Sequence, residues 1–222
     1  MSRAKQQMYF VRFGIIKGGF ALKKNSYLTV AAVVLILVAA AGGYYYFFMK
    51  EKLPVIAEPT PFELTNAVNG KTFDSEDGKV KVLTFFYSNC PDICPLTLND
   101  YRKLEKKLRA ENLYGSDVEL VAVTVDPKVD TPKVLKKYAS NFEANPEGWK
   151  VLTGDEVVID RLTRQLNFYY SKAESGLVTH GTQMFILDRD NKVRAISSMA
   201  KTPDEPVDLE EVMTSVKQLA KE

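Results

Sequence analysis

Residues 80–95 read VKVLTFFYSNCPDICP. The stretch decides the fold because its pattern changes half-way. Residues 80–87 form a nearly continuous apolar run, which suits a strand buried on both faces of a sheet. Beyond it, Leu98, Tyr101, Leu104 and Leu108 recur every three or four residues, the spacing of an amphipathic helix. The chain's two cysteines, Cys90 and Cys94, fall between the two patterns, each followed by a proline. In open α/β sheets, ligand sites collect at the carboxyl ends of the strands, where this segment lies. Pro95 fits the first helical position, because its missing N–H needs no partner there. Cys94 is then expected at the helix cap, with Cys90 in the loop before it. At that place the helix dipole and free N–H groups favour a thiolate over a thiol.

Working outward, residues 118–125 (VELVAVTV) read as a second buried strand, and residues 131–142 as a helix with Pro132 in its first turn. A short strand over 149–152 precedes a helix over 155–166 capped by Asp155. Strands over 183–188 and 193–197 flank the turn 189–192, and residues 208–221 form a closing amphipathic helix. Upstream, residues 62–73 (FELTNAVNGKTF) read as two short strands around Asn69-Gly70. Long strand–helix–strand connections force parallel pairing, and the late hairpin is antiparallel. The expected fold class is α/β: a thioredoxin-like mixed sheet flanked by helices, over residues 62–222.

Ahead of this domain the composition shifts. Residues 1–24 carry six basic side chains and no acidic one, a basic arm. Residues 25–49 hold no charge, and the apolar run 27–48 ends in Tyr44-Tyr45-Tyr46-Phe47-Phe48. A helix of that length covers the roughly 30 Å hydrocarbon core, and the aromatic cluster suits a membrane interface. A cleaved signal peptide is the alternative. The run is longer than the usual signal core and lacks a clear small-x-small cleavage site, which favours an uncleaved transmembrane anchor. The positive-inside rule puts the N-terminus in the cytoplasm and the C-terminal domain on the extracytoplasmic face, with a bacterial plasma membrane favoured. Residues 50–61, with three prolines, read as an extended tether. The chain's net charge of +2 hides this division, since from Leu53 onward 22 basic face 27 acidic residues. An acidic body argues against nucleic acid as a partner.

The cysteine pair has a bland reading, a disulfide staple. A five-residue loop restrains the unfolded chain by only about 2 kcal/mol, so a functional pair is the better reading. His180 is the chain's one histidine. Taken alone it reads as a solvated loop residue.

The motifs together resemble the Sco/SenC family of membrane-anchored, thioredoxin-like copper chaperones for cytochrome c oxidase assembly. The resemblance rests on CPDICP with Cys90 and Cys94, on TVDP at 124–127 with DTP at 130–132, and on WKVLTG at 149–154. It extends to Val178-Thr179-His180, five residues before FILD at 185–188. Many members carry Asp before the histidine, where this chain has Thr179. The resemblance implies a copper site, Cu(I) or Cu(II), built from the thiolates of Cys90 and Cys94 and the imidazole of His180. Donor chemistry agrees, because two soft thiolates select Cu(I) and an imidazole lets the site hold Cu(II) as well. Zinc would want a fourth cysteine or histidine. Asp126, ending the strand expected beside the cysteine strand, is a candidate to stand close behind the ligands; an Asp-Pro turn is its ordinary reading.

The function so implied is delivery of copper to the copper-A site of cytochrome c oxidase subunit II or another copper-accepting protein, or reduction of that client's cysteines. The alternative is a membrane-anchored thiol–disulfide oxidoreductase or peroxide reductase. Against it stand the CxxxC spacing, one residue longer than the redox motif, and the lack of a proline just before the strand at Gln183.

Overall fold

The computed structural model describes residues 24–48 and 52–222. Most of the basic arm therefore lies outside the described residues. The chain divides into two compact units, residues 1–52 and 53–222.

In the first unit, helix α1 spans Lys24–Phe48. Its stretch Tyr27–Tyr45 is long and apolar enough to cross a membrane, and those side chains are all exposed.

The second unit contains β1 (Glu63–Asn66), β2 (Thr72–Asp74), β3 (Val80–Phe86), α2 (Ile93–Ala110), β4 (Val118–Thr124), α3 (Pro132–Ser140), β5 (Trp149–Thr153) and α4 (Glu156–Gln165). After these come β6 (Tyr170–Lys172), β7 (Val178–His180), β8 (Gln183–Leu187), β9 (Val193–Ser198) and α5 (Leu209–Leu219). Seven strands make one mixed sheet in the order β2-β1-β5-β4-β3-β8-β9. The central β5, β4 and β3 run parallel, and the flanking pairs are antiparallel. This is the α/β architecture expected.

Every residue of β3 and β4 is buried, as two-faced strands require. Each strand includes one buried charge, Glu119 in β4 and, in β3, Lys81. Its ammonium bonds to Asp77 Oδ1 at 2.7 Å and to the Lys79 carbonyl at 2.9 Å, which offsets the cost of burying it. The largest buried side chains, Trp149 and Tyr101, pack at 5.7 Å between ring centroids, joining β5 to α2. Such contacts fix the helices on the sheet and so fix the loops at its carboxyl edge.

Three local features depart from the sequence reading. The first hairpin turns through a loop wider than two residues: Asn66 N–H donates to the Lys71 carbonyl at 2.8 Å, with Gly70 at φ +74°. Residues 53–61 are extended but docked. Ile56 N–H donates to Val193, Val193 N–H donates to Ala57, and Arg194 donates twice to the Leu53 carbonyl. Finally, β6 and β7 form a separate two-stranded ribbon, pairing Tyr170 with His180.

Candidate metal centre

The carboxyl end of β3 runs into the cysteine loop. Cys90 N–H donates to the Tyr87 carbonyl at 3.2 Å, closing a turn that brings the cysteine back over the sheet. Helix α2 then begins at Ile93, with Asp92 at the cap position and no capping bond from its side chain. Cys94 is therefore the second helical residue and Pro95 the third, two residues further into the helix than the sequence suggests. The physical reason is that every N–H of the first turn lacks a partner, so proline fits there as well as at its start. Cys94 is buried and Cys90 half-buried, and both are free thiols.

The ribbon delivers the third group. Cys94 Sγ lies 3.6 Å from His180 Nε2, and the ligand atoms of Cys90, Cys94 and His180 all lie within 4.8 Å of one another. His180 Nδ1 donates to the Gly181 carbonyl at 2.6 Å. That bond leaves the Nε2 lone pair facing the sulfurs. Two aromatic rings hold the imidazole: Phe168 stacks against it at 5.9 Å and Tyr87 meets it edge-on at 5.9 Å. Tyr87 is buried, as is Phe86, whose ring stacks on Tyr138 of α3.

The two sulfurs act as one acid. The hydrogen bond from Cys94 pulls the Cys90 thiol down to about 4, against the opposing effect of burial. The same contact, reinforced by burial, pushes the Cys94 thiol far above its ordinary range. One thiolate is therefore present at neutral pH, and a metal that displaces the second proton gains a second.

This donor set fits copper. Bonds of about 2.0–2.3 Å, the lengths that imidazole and thiolate make to zinc, space the donors of a trigonal site about 3.5–4 Å apart. The sulfur–nitrogen separation already matches. A third amino-acid ligand of nitrogen type beside two thiolates is suited to both copper states.

Asp126 is buried at the end of β4, but its carboxylate takes Lys172 Nζ on both oxygens, at 2.7 and 2.8 Å. Among the described residues no hydrogen bond joins it to Cys90, Cys94 or His180. Asp92 is exposed at the rim. The sequence reading missed Lys172, whose three-residue strand is too short to show a period. It also gave Asp130 no role beyond a motif position, although that carboxylate is buried two residues before α3 and accepts from Ser88. A buried acid four residues after another, both just beyond a core strand, was the available signal.

The chain resembles known proteins over the same region. It is 32% identical over 140 residues to a SCO2-like protein of Rickettsia prowazekii, a match spanning 60% of this chain and 65% of that protein. It thus spans just under two thirds of that relative's length. The solved structure of BsSco, described as a member of the Sco family of cytochrome c oxidase assembly proteins with a disulfide switch, superposes with a TM-score of 0.64 at 28% identity. That superposition covers 77% of this chain and 98% of BsSco. Arabidopsis thaliana ScoI, solved with copper bound, gives a TM-score of 0.61 at 28% identity, covering 75% of this chain and all of the other. The SCO1/SenC family profile matches residues 51–215, from the docked segment through the cysteine loop and the histidine ribbon to the last helix. On that match the chain belongs to the SCO1/SenC family.

Proposed function

We propose that the protein is a copper-binding assembly factor for cytochrome c oxidase, with Cys90, Cys94 and His180 as the ligands. Its finer role is to deliver copper to the copper-A site of subunit II, or to reduce that site's cysteines before loading. The observation that carries this reading is the convergence of two sulfurs and one imidazole nitrogen, from elements 86 residues apart, within 4.8 Å. Copper is the cargo. It leaves by ligand exchange, as each client thiolate replaces one ligand of the site.

The low Cys90 thiol supports the reductive step as well. The Cys90 thiolate attacks a client disulfide, forming a mixed disulfide and expelling one client thiolate. Cys94 then attacks Cys90, releasing the second client thiolate and leaving a Cys90–Cys94 disulfide. Two electrons pass from this pair to the client, and the Cys94 proton passes to a departing thiolate. Because Cys90 lies outside the helix, the pair is free of the spacing that two positions of one helix turn would impose.

Helix α1 supports a single-pass membrane anchor, with the domain on the extracytoplasmic face of a bacterial plasma membrane. Protease digestion of intact spheroplasts tests this: the domain should be cleaved from outside, and full protection would reverse the orientation.

Optical titration tests the ligands. Cys90→Ser, Cys94→Ser and His180→Ala should each lose the sulfur-to-Cu(II) charge-transfer band. Unchanged copper uptake by all three would refute the reading. Robust turnover of a disulfide substrate with copper chelated would instead favour a thiol–disulfide oxidoreductase.

A further inference from the structure

The two ligand arms arrive from different parts of the chain, yet both are tied to one loop. Residues 126–130 (DPKVD) connect β4 to α3. The loop is closed on itself: Asp130 N–H and Val129 N–H donate to the Asp126 carbonyl at 2.8 and 3.1 Å. Thr153 Oγ1 on β5 donates to the Asp130 carbonyl at 2.8 Å, fixing the loop to the sheet.

Its two carboxylates face different arms. Asp130, only 1% exposed, accepts from Ser88 N–H at 3.1 Å, from the Ser88 hydroxyl and from the Thr124 hydroxyl. Ser88 stands two residues before Cys90, so this carboxylate holds the sulfur loop. Asp126 holds Lys172 on both oxygens. Lys172 pairs with Val178 in the ribbon, two residues before His180. A two-stranded ribbon is marginal by itself and takes its position from what it is tied to.

Resting on the copper-binding reading above, we propose that residues 126–130 are a bracket that sets the separation of the sulfur pair from the imidazole. Asp130 acts through Ser88, and Asp126 acts through Lys172. Both are positioning residues. The bracket discriminates between copper states. Cu(I) is satisfied by two thiolates, whereas Cu(II) also needs the imidazole. Loosening the Asp126–Lys172 tie should therefore cost Cu(II) far more than Cu(I).

The test uses the full chain in detergent, with and without copper. Lys172→Ala should weaken Cu(II) binding about 10–100-fold, the usual cost of losing a partner that orients a ligand, and change Cu(I) binding less than about 3-fold. In the metal-free protein the same variant should accelerate amide exchange across residues 170–180 while leaving the central strands protected. Lys172→Arg, which keeps a donor pair for the carboxylate, should restore both readouts. Ser88→Ala should weaken both copper states together, because it releases the sulfur arm. Equal losses of Cu(I) and Cu(II) in Lys172→Ala, or unchanged exchange over the ribbon, would overturn the bracket. If wild-type protein binds no copper, the ligand assignment fails, while the exchange data still decide whether the loop holds the ribbon.

Discussion

At the scale of single residues, one proton separates Cys90 from Cys94. The Cys94 hydrogen bond holds the Cys90 thiol near 4, well below its ordinary value of 9. Cys90 is thus a thiolate at all pH above about 4 and loses that charge as pH falls through it. A group held below its unfolded value stabilises the fold above that value and gives up the gain as pH falls to the folded one. The metal-free protein should therefore lose part of its stability between about pH 9 and pH 4 through this residue. Alkylation of the reduced, metal-free protein with iodoacetamide reads the thiolate directly. One thiol should react with a midpoint near pH 4. In Cys94→Ala the donor is gone, and the midpoint should rise toward the ordinary thiol range. A midpoint unchanged by that substitution would show that Cys94 is not what holds the charge on Cys90.

At the scale of elements, the caps make a separable contribution. Asp208 accepts from both Glu210 N–H and Glu211 N–H at the start of α5, satisfying two of the donors that every helix start leaves free. Asp208→Ala should destabilise the domain by about 1–2 kcal/mol. Urea unfolding checks this, with copper binding expected to stay intact because, among the described residues, the Asp208 carboxylate bonds only within the first turn of α5 and not to Cys90, Cys94 or His180. The elements with the most regular patterns were legible in the sequence for the same reason that they are stable. The buried runs of β3 and β4 and the i, i+3, i+4 spacing of α2 record burial directly, and Asp155 and Pro132 mark real helix starts. The ribbon was not legible as such. Its strands are three residues long and mix exposed with half-buried and buried positions, so neither a period nor an apolar face marks them. His180 could be placed through the family resemblance, whereas Lys172 and Asp130 act through long-range side-chain bonds that no local pattern encodes. The cysteine loop falls between these cases: its residue types announced chemistry, but the helix start was displaced because a proline is tolerated throughout the first turn.

At the scale of the whole domain, the segment expected to be a plain tether belongs to the folded unit. The sheet has two edges, β2 and β9, and an uncovered edge offers unpaired N–H and C=O groups to other chains. Residues 53–61 cover the start of β9, with Ala57 bridging Val193 and Pro59 buried. Arg194 locks them there, since its guanidinium donates to Leu53 O at 2.6 and 2.9 Å while pairing with Asp188 at 2.8 Å. A soluble chain beginning at Phe62 loses the two backbone bonds and the guanidinium's carbonyl partner. At about 1 kcal/mol for each bond, the loss amounts to about 2–4 kcal/mol. For a domain of this size that lowers Tm by about 4–16 °C relative to a chain beginning at Leu53. The shorter chain should also self-associate through the bared edge, which sedimentation velocity would detect. Its Cu(II) spectrum, measured well below the melting transition, should match that of the longer chain, because residues 53–61 dock at Val193, which pairs with Leu187, whereas His180 leads into the other end of β8 at Gln183. Equal melting temperatures for the two chains would show that the segment merely lies against β9, and that the edge is protected by its own twist and charge.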